Sequence, residues 1–114
     1  MRRIYSAEWK LLQDTEIDEA YGEYIKQRGT PKMKMKSYDE NGIAIIDEGK
    51  LDDYIELTYN GILRVTEKAI LLEMENLDGH FVEQWLPKAV CRNVADGIIY
   101  VWDKFANDNL GDFA

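Results

Sequence analysis

The spacing of apolar positions along the chain changes once, at Pro31. Before it, Ile17, Tyr21, Tyr24 and Ile25 recur at helical intervals, and Arg28 continues the same stripe with a basic end. Thr15 with Asp18 matches a capping box, Glu16, Asp18 and Glu19 load the first turn with negative charge, and Lys26 and Arg28 occupy the last. Gly29 suits a C-terminal cap and Pro31 blocks continuation, so the pattern predicts a helix over Asp14 to Arg28. Trp9 and Leu12 suggest one further helical turn over Ser6 to Leu12.

After Pro31 the period becomes two, with Lys32, Lys34 and Lys36 on one face and Met33 and Met35 on the other, which predicts a strand. Asn41-Gly42 is the strongest turn signal in the chain and joins that strand to Ile43 to Ile46 as a hairpin. Further short strands are expected at Tyr54 to Tyr59, Ile62 to Val65, Ala69 to Met74, Phe81 to Leu86 and Ile98 to Val101. They are punctuated by Asn60-Gly61, Asp78-Gly79, Pro87 and Asp96-Gly97. Trp102 to Asn109, with Gly111 after it, reads as a short terminal helix.

The expected fold is therefore α+β: a small antiparallel β-barrel of SH3-like or OB-like size with an N-terminal amphipathic helix and a short C-terminal helix. At 114 residues the chain fits one domain, with a helical part over 1–30, the barrel over 31–101 and the closing helix over 102–111. A chain this long hides enough surface to hold a core without disulfides or metals. The single cysteine, Cys91, excludes an internal disulfide and fits a reducing compartment, so the cytoplasm is the expected location. Glu8 and Lys10 interrupt any apolar stretch of a signal peptide, and the longest uninterrupted apolar run, Ile98 to Trp102, is far too short to cross a bilayer.

Charge divides the chain more sharply than hydropathy does. Residues 1–36 carry eight Lys/Arg against six Asp/Glu, whereas residues 37–114 carry six against sixteen, within a total net charge of -8. The acidic part repels nucleic-acid phosphates and attracts basic surfaces. Its densest stretch holds Asp47, Glu48, Asp52, Asp53 and Glu56.

Three kinds of chemistry have their residue types present. Cys91 and His80 are the minimum for thiol catalysis, but His80 falls in the Asp78-Gly79-His80 turn, and Cys91 reads as a small buried residue. Asp39 with Glu48-Gly49-Lys50 loosely matches the acid, acid and lysine set of metal-dependent nucleases, and Glu73 and Glu75 share a strand face. Gly49 turns the Glu48–Lys50 segment away from a strand, and one histidine and one cysteine do not complete a zinc site, so no catalytic residue, metal or cofactor is expected. Finally, Tyr38, Tyr54, Tyr59, Phe81, Trp85, Tyr100 and Trp102 supply rings, and Lys32, Lys34 and Lys36 a positive row, of the kind that binds single strands by stacking.

At Thr66-Glu67-Lys68-Ala69-Ile70-Leu71-Leu72 and Glu83-Gln84-Trp85-Leu86-Pro87-Lys88 the chain resembles a group of small phage, prophage and mobile-element proteins. Their strands begin with a similar "TEKA" sequence and end in "WLPKS", followed by a closing helix. The resemblance covers about residues 57–111, and Ala89 stands where the pattern usually has Ser. It implies an accessory protein of a mobile element, of a kind that often works by binding rather than turnover. On the residues themselves, Trp85 fits a barrel plug, Pro87 a strand stop and Lys88 a solvent-facing turn.

The resulting expectation is a small acidic phage or mobile-element binding protein that docks on a basic surface of a host protein. In its sharpest form it inhibits a nucleic-acid-handling or defence system, with Asp47, Glu48, Asp52, Asp53 and Glu56 imitating phosphates. The alternative is an accessory single-stranded nucleic-acid-binding barrel using Lys32, Lys34, Lys36, Trp85 and Lys88. Under either, the Ile17, Tyr21, Tyr24 and Ile25 stripe buries against the chain's own barrel or a second copy.

Overall fold

A computed structural model gives the fold and describes residues 13–31, 37–46, 52–93 and 97–111. The first helix, α1, spans Asp14–Arg28. Its C-terminus follows the sequence signals: Gly29 adopts φ 78° and its N–H donates to the Ile25 carbonyl at 2.7 Å. The N-terminus does not. Gln13 is the cap, its N–H donating to Glu16 Oε1 at 3.2 Å, so Thr15 lies inside the helix and the expected Thr15/Asp18 box is replaced by Gln13 and Glu16. The turn expected at Ser6 to Leu12 and the Lys32 to Lys36 strand lie outside the described residues.

Seven strands follow: β1 (Ala44–Ile45), β2 (Tyr54–Thr58), β3 (Gly61–Val65), β4 (Ala69–Glu75), β5 (Phe81–Pro87), β6 (Cys91–Asn93) and β7 (Ile98–Trp102). A 3-10 turn at Lys88–Val90 separates β5 from β6, and α2 (Asp103–Asn109) closes the chain. The Asn41-Gly42 turn forms as expected, with Asp39 N–H donating to the Ile43 carbonyl at 2.8 Å, Gly42 at φ 81° and Tyr38 bridging Ala44. β6 was not foreseen. It is three residues long, and its central residue is an arginine.

The closed barrel is also not what forms. The strands lie in two open sheets, one ordered β1-β6-β7-β2 and the other a β3-β4-β5 meander. Apart from β6, sequence signals located the strands but not their partners: β2 leaves β3 at the Asn60-Gly61 corner and pairs with β7 instead, while Pro87 and the 3-10 turn carry the chain from the meander to the other sheet. β1 meets β6 in parallel, through Ala44 opposite Arg92, which no hairpin rule anticipates. Among the described residues, β3, β5, β1 and β2 are thus end strands.

One core serves both sheets and both helices. In β4, Ala69 and Leu71 point to one face and Ile70, Leu72 and Met74 to the other, and all five are buried. Ile17, Tyr21 and Tyr24 of α1 join them, as do Leu57, Ile99, Val101, Phe105 and Leu110, with Tyr24 meeting the Phe105 ring edge-on at 5.5 Å.

Polar contacts fix where α1 lands on this core. Asp18 Oδ1 accepts from Thr66 Oγ1 at 2.6 Å and from the Lys68 N–H at 2.9 Å, while Thr66 Oγ1 accepts from the Ala69 N–H at 3.0 Å. Arg64 pairs with Asp14 and lies over the Trp85 ring, its guanidinium carbon 5.6 Å from the centroid. Replacing the Thr66 hydroxyl leaves both Asp18 and the Ala69 N–H short of a partner. Thr66→Val is therefore expected to lower stability by about 1–3 kcal/mol and Thr66→Ser to restore most of it, measured by urea unfolding. A Thr66→Val protein as stable as the parent would refute the assignment.

Candidate functional site

The pairing of β4 with β5 brings the two motif lysines together. Ala69 stands opposite Pro87, and one step beyond, the Lys88 N–H donates to the Lys68 carbonyl at 2.9 Å. From these adjacent points the side chains diverge. The Lys68 ammonium lies over Gly22 of α1, 3.1 Å from where a Cβ there would sit, and the Lys88 ammonium lies over Gly42 of the hairpin turn, 3.2 Å from the corresponding point. Between them opens a cleft of about 730 Å³ walled by Tyr21, Pro31, Tyr38, Lys68, Lys88 and Arg92.

Arg92 enters this wall from β6. Its side chain is 5% exposed; Nη1 donates to the Ala89 and Cys91 carbonyls at 2.9 and 2.7 Å, and Nη2 to the Pro31 carbonyl at 3.4 Å. Nε is buried without a partner. The guanidinium also lies 5.7 Å from the Tyr54 ring centroid. Burial raises the Tyr54 phenol, and the Arg92 charge pulls it back. Among the described residues no carboxylate forms an ion pair with Arg92, Lys68 or Lys88. Among the described residues the cleft lining holds three basic side chains and one acidic, Glu67, in a protein of net charge -8.

The predicted residues fall as follows. Asp52 and Asp53 are exposed in a short turn leading into β2, and Glu56 is exposed on β2 with the Tyr100 hydroxyl donating to it at 3.5 Å. Asp47, Glu48, Lys32, Lys34 and Lys36 lie outside the described residues. Trp85 is 3% exposed beneath Arg64, so its ring is packed in the core as a plug and offers no stacking face. Of the described members of the nucleic-acid set, Trp85 and Lys88, only Lys88 reaches the cleft. Tyr38, 63% exposed, is the open ring there.

The catalytic candidates separate. Asp39 Oδ1 accepts from the N–H groups of Asn41 and Ile43, both at 2.9 Å, and Oδ2 from Asn93 Nδ2 at 2.9 Å; its carboxylate is spent holding the hairpin turn to β6. Glu48 and Lys50 lie outside the described residues, and among those described no group of three His, Cys, Asp or Glu side chains could hold a metal ion. His80 is exposed in a turn whose Asn76 Oδ1 accepts from the Asp78 and His80 N–H groups at 3.0 and 2.9 Å. Cys91 is fully buried, and burial pushes its thiol from 9.0 up to about 12. Among the described residues no helix is long and apolar enough to cross a membrane. No family model, curated protein or solved structure matches the chain.

A buried thiol held protonated has a consequence for alkaline stability. The unfolded chain loses this proton near 9 while the folded protein keeps it to about 12. Stability is therefore full below pH 9 and falls as pH rises through the interval between them, by at most about 1.4 kcal/mol per pH unit from this group. The Tyr21 phenol, raised above 10.0 by burial and next by Cys91, adds to the decline at higher pH. Cys91→Ala should flatten the profile between about pH 9 and 10 in urea melts; an unchanged slope would show that Cys91 does not set it.

Proposed function

We propose that this protein acts by binding, as a small acidic docking protein that presents one edge of a sheet to a basic surface of a partner protein. The observation that carries this reading is the setting of Asp52, Asp53 and Glu56. They cluster at and just before β2, the end strand of its sheet, all exposed, and among the described residues none is in an ion pair. Exposed carboxylates that no described cation pairs with keep their field directed outward. That field raises the encounter rate with a basic partner and is screened by salt.

The sharper version follows the same chemistry. A row of carboxylates is the protein equivalent of a run of phosphates, so the favoured partner is one whose basic face otherwise holds nucleic acid. A host nucleic-acid-handling or defence protein, met by a phage or mobile-element inhibitor, would present such a face. Asp47 and Glu48 extend the same acidic run in sequence.

Immobilised protein exposed to host lysate after nuclease treatment tests this. The wild type should retain a basic protein at low salt and release it as salt rises. Asp52→Lys with Asp53→Lys should lose at least tenfold of the captured material. Equal capture by the charge-reversed variant would remove the acidic edge from the binding mode.

A further inference from the structure

We propose that the cleft between α1, the Asn41-Gly42 turn and the β4–β5 corner is a binding site for a nucleoside phosphate. The phosphate would sit on Lys68 and Lys88 and the base against Tyr38. The site is distinct from the acidic edge, since Asp52, Asp53 and Glu56 do not line the cleft.

Three independent features converge. The first is electrostatic: in a strongly acidic protein, the described residues put three basic side chains and one acidic one, Glu67, around one concavity. Low-dielectric walls concentrate such a field inside a cleft. The second is the state of Arg92. Taking a guanidinium out of water is costly unless its charge is balanced. Here it is nine-tenths buried, held by the carbonyls of Pro31, Ala89 and Cys91, with Nε unpartnered and no carboxylate paired to it among the described residues. Carbonyl dipoles and the Tyr54 side chain fix the group in place, and none of these neutral partners cancels its positive charge, which remains available to an anion in the cleft.

The third is shape. The two ammonium groups are laid against Gly22 and Gly42, where a side chain on either would crowd them. They flank the opening from opposite walls, although their backbones are joined by one hydrogen bond. An anion with several acceptor oxygens can span two such donors, which suits a phosphate. Tyr38 offers an exposed ring, Pro31 and Ile25 add apolar surface to the same lining, and a base can stack on such a ring. A volume of about 730 Å³ lies within the range of small-molecule sites.

Titration of isotopically labelled protein with AMP, adenosine and inorganic phosphate, followed by amide chemical shifts, tests the site. AMP should saturate with shifts centred on Tyr38, Lys68, Lys88 and Arg92, and adenosine should bind at least tenfold more weakly. Lys68→Gln with Lys88→Gln should weaken AMP about a hundredfold, close to tenfold for each charged contact, with the melting temperature unchanged. Competition by a 5′-phosphorylated oligonucleotide would identify the ligand as a strand end, and its failure to compete as a free nucleotide; the site stands in both cases. No saturation by about 10 mM AMP, equal affinity for adenosine, or undiminished binding by the double variant would overturn it.

Discussion

β4 is the constraint on which the rest of the molecule rests. A strand with apolar residues on both faces needs two covers. Leu71 and Ala69 require one layer, and Ile70, Leu72 and Met74 another, so an isolated meander of β3, β4 and β5 would leave large apolar surface in water. The second sheet and the two helices answer that requirement within one shared cluster. α1 does so under polar control: a single carboxylate, Asp18, accepts from both the side chain at 66 and the backbone at 68, which locks the helix to the start of β4.

That lock also explains the "TEKA" and "WLPK" sequences in physical terms. Thr66 ties the turn to α1, Ala69 opens the strand fully buried, Trp85 fills the core beneath Arg64, and Pro87 ends β5 opposite Ala69. The two lysines and Glu67 are members of these motifs that the packing does not consume, and all three line the cleft. The placement of the lysines at the mouth of one cleft comes from the β4–β5 register, which sets residues 68 and 88 side by side.

Much of the local structure was legible in the sequence. The helix over Asp14–Arg28 was readable because Gly29, Pro31 and the apolar stripe agree, and the meander because Asn60-Gly61 and Asp78-Gly79 punctuate it. The sheet arrangement was not, since pairing of β2 with β7 and of β1 with β6 joins segments with no local signal for each other. β6 was missed because Cys91-Arg92-Asn93 is too short for a period to show, and its arginine reads as surface although it is buried. The cleft was legible in two residues, Lys88 and the ring of Tyr38. Lys68 and Arg92 are brought to it by tertiary pairing alone, and the hint for Lys68 was that both motifs carry a lysine next to a strand end.

The split between the sheets also distributes the entropic cost of folding unevenly. The meander closes through turns of a few residues, whereas Tyr54 must find Trp102 and Ala44 must find Arg92 across more than a third of the chain. Loop closure therefore weighs almost wholly on the β1-β6-β7-β2 sheet. During synthesis, the meander can form while β7 is still unmade, and until Ile98–Trp102 emerges its apolar faces lack the cover that completes the core.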